Sequence, residues 1–207
     1  MGITTHRALR LALASLLAVA LTAQYIIGST DSGLTGVNFF SYFTVLSNAG
    51  AVVVLTMLAA RPERDGSVPF AIFRGAVTVY MAVTGLVYAV VLYPQLADVA
   101  VPEPWIDVCI HVVGPVLVVA DWIYDSPPVE LPGSSVAIWL AFPAVYLTYS
   151  LIRGPIADWY PYPFLDPATG GWDAVALWSL VVLVVILAFS YAFQWWSNRR
   201  QSETALA

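Results

Sequence analysis

Residues 173–196 read DAVALWSLVVLVVILAFSYAFQWW, an apolar run whose only charge is Asp173 at its first position. A helix rising ~1.5 Å per residue crosses ~30 Å of hydrocarbon in ~20 apolar residues, so this run is long enough to span a bilayer. Comparable runs lie near 8–28, 39–60, 70–93, 105–124 and 135–152. The 207 residues are 60% hydrophobic and only 10% charged, with a mean hydropathy of +0.80, which identifies lipid as the solvent. Six spans consume about 120 positions and leave little beyond loops. The expected fold is an all-α integral membrane protein, one bundle of six transmembrane helices occupying residues 1–207 as a single domain.

The punctuation between runs supports this division. Gly28 to Asn38 is rich in Ser, Thr, Gly and Asp; Arg61 to Ser67 is charged; Tyr93-Pro94 and Pro102 to Pro104 break the next pair; Asp125 to Gly133 carries three prolines. The segment from Arg7 to Ile27 has the arginines and the Ala18-Val19-Ala20 triplet of a signal peptide, but its apolar run is span-length and reads as the first helix. Arg153 to Trp172, with Trp159-Tyr160-Pro161-Tyr162-Pro163-Phe164, suits a stiff aromatic segment capping one end of the bundle. The chain has no lysine, and seven of its eight arginines fall on one side under six-span alternation; only Arg153 falls on the other. The positive-inside rule then predicts a multi-pass cell-membrane protein with both termini cytoplasmic and an outer face lined by Asp31, Asp98, Glu103, Asp158 and Asp166.

Composition also excludes. A net charge of -5 spread over short loops offers no groove for nucleic acid, and the absence of lysine removes the amine a retinal Schiff base requires. Cys109, the only cysteine, precludes an internal disulfide and reads as a small buried packing residue.

Polar groups inside the spans are where chemistry is sought, because each is costly in hydrocarbon unless paired or hydrated. The fourth run holds Asp107, His111 and Asp121, and the second holds Thr44, Ser47 and Asn48. Counted from the outer ends of their runs, Thr44 and His111 each fall about 7–9 Å deep and share a level. Asp107 precedes His111 by four residues, so its carboxylate can hold one ring nitrogen. A threonine hydroxyl at the other nitrogen completes a set of nucleophile, base and orienting group. Pro115 lacks the N–H that would bond the His111 carbonyl, and with Gly114 this predicts a kink and open space beside the histidine. Ser47 and Asn48 read as interhelical hydrogen-bonding residues and as candidate oxyanion donors. Asp121 is expected to pair with Arg74 or to face water, and Arg153 to meet a fatty carboxylate or phosphate head group or to snorkel.

Three segments, Tyr42-Phe43-Thr44-Val45-Leu46-Ser47-Asn48, His111-Val112-Val113-Gly114-Pro115 followed by Asp121-Trp122, and Tyr160-Pro161-Tyr162-Pro163-Phe164-Leu165-Asp166, together resemble the androgen-induced membrane protein family and its bacterial six-span relatives. The resemblance implies six spans and hydrolysis of fatty acid esters of hydroxy fatty acids, or similar lipid esters, by a membrane-embedded threonine acting with a histidine. Those roles fall on Thr44 and His111. The Ser-Asn that follows the Thr-x-Leu core departs from the animal members, and the role of Asp107 comes from spacing alone. The expected substrate is therefore a lipid or fatty acid ester. No cofactor is called for, and no metal, because His111 has no second histidine within the spans and His6 precedes the first. Two rivals stand beside the hydrolase: a small transporter or proton relay using His111, Asp107 and Asp121, and a non-catalytic membrane partner protein.

Overall fold

The computed structural model describes residues 3–96 and 103–205; Met1, Asp98, Pro102 and Ala207 lie outside the described residues. Among the described residues eight α-helices follow in order: α1 Ile3–Asp31, α2 Gly36–Phe39, α3 Phe43–Ala60, α4 Val68–Val87, α5 Pro104–Val108, α6 Gly114–Tyr124, α7 Ser135–Ala157 and α8 Pro167–Ala205. A π turn, Tyr88–Leu92, extends α4, and a second, Cys109–Val113, joins α5 to α6 into one span. The result is six helices long and apolar enough to cross a membrane, Thr4–Asp31, Phe43–Ala60, Val68–Leu92, Pro104–Tyr124, Ser135–Ala157 and Pro167–Glu203, and the described residues contain no strand. The fold is an all-α membrane bundle.

Several boundaries differ from the sequence reading for identifiable reasons. The Thr35 side chain accepts the Asn38 N–H and caps the separate turn α2, so the second span starts at Phe43 instead of residue 39. Thr44 therefore stands in the first turn of α3. Helix α7 runs on to Ala157, carrying Arg153 inside a helix, and ends where Asp158 turns left-handed at φ 49°. Helix α8 begins earlier than residue 173 because a first turn from Pro167 is joined to the long helix across Gly171, whose φ of 76° only glycine adopts readily.

Helix α4 is the axis of the bundle, packing against α3, α6, α7 and α8. Between helices in lipid there is no hydrophobic drive, so close packing and hydrogen bonds hold the bundle together. Trp139 lies against Gly75, where any Cβ would stand 2.3 Å from its ring, and its indole donates to the Ile72 carbonyl at 2.7 Å. Tyr80 returns a bond to the Trp139 carbonyl at 2.9 Å. Trp122 and Trp139 are wholly buried and meet edge to face.

The first turns of α1 and the last turns of α8 lie at the same end of the bundle. Arg10, near the start of α1, grips Asp121 through Nε at 2.8 Å and Nη2 at 3.0 Å, and Asp125 at 2.7 Å. Arg200, near the end of α8, donates to the carbonyls of Ile123 and Tyr124. Arg74, 1% exposed, donates to Asp121 at 2.9 Å, to Asp65 and to the Asp125 carbonyl, while its guanidinium lies 5.5 Å from the centre of the Trp122 ring. His6 adds a contact to Asp121 at 3.0 Å. Asp65 sits in a 3₁₀ turn, Pro62–Gly66, where burial pushes its carboxyl up, against the downward pull of Arg74.

Candidate functional site

At the opposite end, the two π turns face each other. The rings of Tyr88 and His111 stack with centroids 4.2 Å apart and planes 7° from parallel. His111 Nδ1 lies 2.8 Å from Asp107 Oδ1, and the Tyr88 hydroxyl donates to Asp107 Oδ2. One carboxylate thus anchors both rings, and the Asp107 position derived from its i, i+4 spacing is the one observed. Occupation of Nδ1 leaves Nε2, which makes no hydrogen bond among the described residues, as the nitrogen able to accept a proton. Tyr88 carried no signal in the sequence, since a tyrosine in an apolar run is ordinary interior packing.

The π turn around His111 follows from Pro115. With no N–H at that position, the Gly114 N–H reaches back to the Cys109 carbonyl, five residues earlier, and the Ile110 carbonyl is left without a helical partner. Asn48 supplies one: its Nδ2 donates to the Ile110 carbonyl at 3.0 Å and to the Thr44 carbonyl at 2.9 Å. Both N–H groups are spent on carbonyls, so Asn48 is a clamp between α3 and the fourth span and not an oxyanion donor. Ser47 is likewise withdrawn, because its hydroxyl donates to the Phe43 carbonyl at 2.8 Å. Gly114 marks contact instead of open space: an added Cβ would stand 2.9 Å from Leu17 and 3.1 Å from Asn48 Oδ1. Cys109 is half-buried, at the margin of a small cluster around Ile106 and Ile110.

Thr44 and His111 share no hydrogen bond. The Thr44 hydroxyl lies 3.2 Å from the Tyr162 hydroxyl, and the Thr44 backbone N–H donates to that same phenol oxygen at 3.1 Å. Tyr162 reaches this buried place from the aromatic segment, which folds inward between α7 and α8; its ring stacks on Phe164 and meets Tyr42 edge to face. Burial pushes the Tyr162 phenol up, so it stays protonated and serves as a donor and not a base. Thr44 and Tyr162 both form part of the wall of a cavity of about 450 Å³ between α3, α4, α7 and α8, whose lining is otherwise almost entirely apolar. Thr84 on α4 also lines it, buried and without a partner for its hydroxyl, and its i+4 neighbour is Tyr88, the residue stacked on His111. Helix α4 therefore joins the cavity to the histidine cluster.

The remaining residues singled out in the sequence lie elsewhere. Arg153 donates to Asn38 and stacks over Trp159 at 5.2 Å, tying α7 to the short helix α2. Asp121 is held by Arg10 and Arg74 at the far end of the bundle, away from His111. Among the described residues, no group of three or more His, Cys, Asp and Glu side chains is placed to hold a metal ion. No protein-family model, curated protein or solved structure matches the chain.

Proposed function

We propose that the protein is an intramembrane hydrolase of lipid esters, with Thr44 as nucleophile and His111 as general base. The observation that carries this reading is the position of Thr44, whose buried hydroxyl stands on the wall of an apolar cavity of about 450 Å³, a size that accepts a small-molecule ligand. An acyl chain is the ligand such a lining suits, with the ester carbon brought to the hydroxyl. His111 Nε2 takes the Thr44 proton as the Oγ1–carbon bond forms, and then returns it to the departing alkoxide; water repeats the two steps to release the acid. Transfer requires the hydroxyl and the imidazole, which share no hydrogen bond in this structure, to come within reach when substrate is bound, as catalytic contacts commonly do. Asp107 and Tyr88 fix the imidazole for this role. The arginine distribution supports cytoplasmic termini, which places the cavity toward the outer leaflet.

The test is covalent. Purified protein is expected to react with a lipophilic fluorophosphonate at Thr44, with labelling abolished by Thr44→Ala, partly kept by Thr44→Ser and reduced ~10²–10⁴-fold in rate by His111→Ala. Equal labelling of Thr44→Ala and the parent defeats the hydrolase reading.

A further inference from the structure

We infer that Tyr162 is the oxyanion-stabilising residue of this site, donating its phenolic O–H to the carbonyl oxygen of the substrate as charge develops there. The inference rests on the hydrolase reading and supplies the part that Asn48 and Ser47 do not. The phenol oxygen lies 3.2 Å from Thr44 Oγ1, and in a tetrahedral adduct on Oγ1 the oxyanion is the next atom but one. A donor held against the nucleophile is thus within reach of the oxyanion with no more than a change in the direction of its O–H.

The hydrogen-bond accounts of the two groups agree with that role. Tyr162 accepts the Thr44 N–H at 3.1 Å, which orients the phenol and polarises its O–H toward donation. Either hydroxyl can donate in the Thr44–Tyr162 contact; with the phenol as donor, Thr44's own proton is left for the base. When an ester occupies the cavity, the same O–H turns to the carbonyl oxygen. Attack moves the Thr44 proton to His111 Nε2, forms the Oγ1–carbon bond and converts the carbonyl π pair into the oxyanion; collapse restores the carbonyl and expels the alkoxide, which takes the proton from His111.

The phenol is also preorganised, as a catalytic donor must be. Pro161 and Pro163 flank it, Phe164 stacks against the ring with planes 5° from parallel, and Tyr42 meets it edge to face. Only 8% of the residue is exposed.

The experiment compares p-nitrophenyl decanoate with its thionoester, in which sulfur, a poor hydrogen-bond acceptor, replaces the carbonyl oxygen. Tyr162→Phe is expected to lower kcat on the oxoester ~10²–10³-fold with little change in KM, and to lower it far less on the thionoester, so that the preference for oxygen collapses. Replacement of Tyr162 by fluorotyrosines of graded acidity keeps the ring packing and should change oxoester kcat in step with donor strength. A Tyr162→Phe enzyme within threefold of the parent overturns the inference. So does a fall in kcat that leaves the oxo-to-thiono ratio unchanged, or a flat fluorotyrosine series, either of which marks a merely structural anchor. Thr44→Ala separates the two levels: activity equal to the parent removes the hydrolase itself, whereas an inactive Thr44→Ala beside an unaffected Tyr162→Phe removes only the role of Tyr162.

Discussion

Asn48→Ala, made in parent and Pro115→Ala backgrounds, tests the link between the proline and the clamp. In the parent the substitution strips both donors from a residue that is 0% exposed. The Thr44 carbonyl keeps the backbone N–H of residue 48 four positions on, as any residue in a continuous helix does, and loses little. The Ile110 carbonyl is different: Gly114 bonds Cys109 and residue 115 has no N–H, so nothing replaces Asn48 Nδ2. An orphaned buried carbonyl costs about 1–3 kcal/mol, at the low end in a membrane, where the unfolded reference also finds partners. Pro115→Ala restores the missing N–H and lets Gly114 bond Ile110 in an ordinary α turn, which makes the clamp dispensable. Unfolding by SDS titration of the parent, both single variants and the double should therefore give a coupling of about 1–2 kcal/mol, with Asn48→Ala mild in the alanine background. Additive costs within about 0.4 kcal/mol would refute the account of the π turn.

Asp121→Asn should destabilise the bundle by about 3 kcal/mol in the same assay, because it leaves the buried Arg10 and Arg74 short of a shared carboxylate while Asp125 and Asp65 still hold one side of each. A cost under 1 kcal/mol would show the network to be hydrated in solution. In a Cys109→Ser background, a cysteine at position 159 should be modified by an impermeant maleimide added outside intact cells and one at position 64 should not; the reverse result inverts the orientation drawn from the arginines.

The gross architecture was legible because lipid imposes it. Each span must supply its own backbone hydrogen bonds over a fixed thickness, so hydropathy and punctuation locate helices with little help from tertiary detail. The errors fell at helix ends, where local chemistry decides. Thr35 as a cap split off α2, and Asp158 and Gly171 set the limits of α7 and α8 through backbone conformations that hydropathy does not encode. The i, i+4 pair Asp107 and His111 was legible for a related reason, since both partners ride on one helix and their geometry is fixed by its period.

Contacts between distant segments were another matter. The sequence offered candidate oxyanion donors only on the helix of Thr44, at Ser47 and Asn48, whereas the phenol beside Thr44 arrives from 118 residues away. Nothing in Tyr160-Pro161-Tyr162-Pro163 distinguishes a tyrosine lying at the interface from one folded inward, because both uses favour an aromatic ring with a polar tip. The same limit hid Tyr88, whose importance depends on the fourth span facing it. Pro115 sits between these cases: its missing N–H was readable, but the widening to a π turn, which sends the Gly114 N–H to Cys109 and leaves the Ile110 carbonyl to Asn48, was not. That widening makes Asn48 the residue that holds α3 against the fourth span, a role its place on one helix does not reveal.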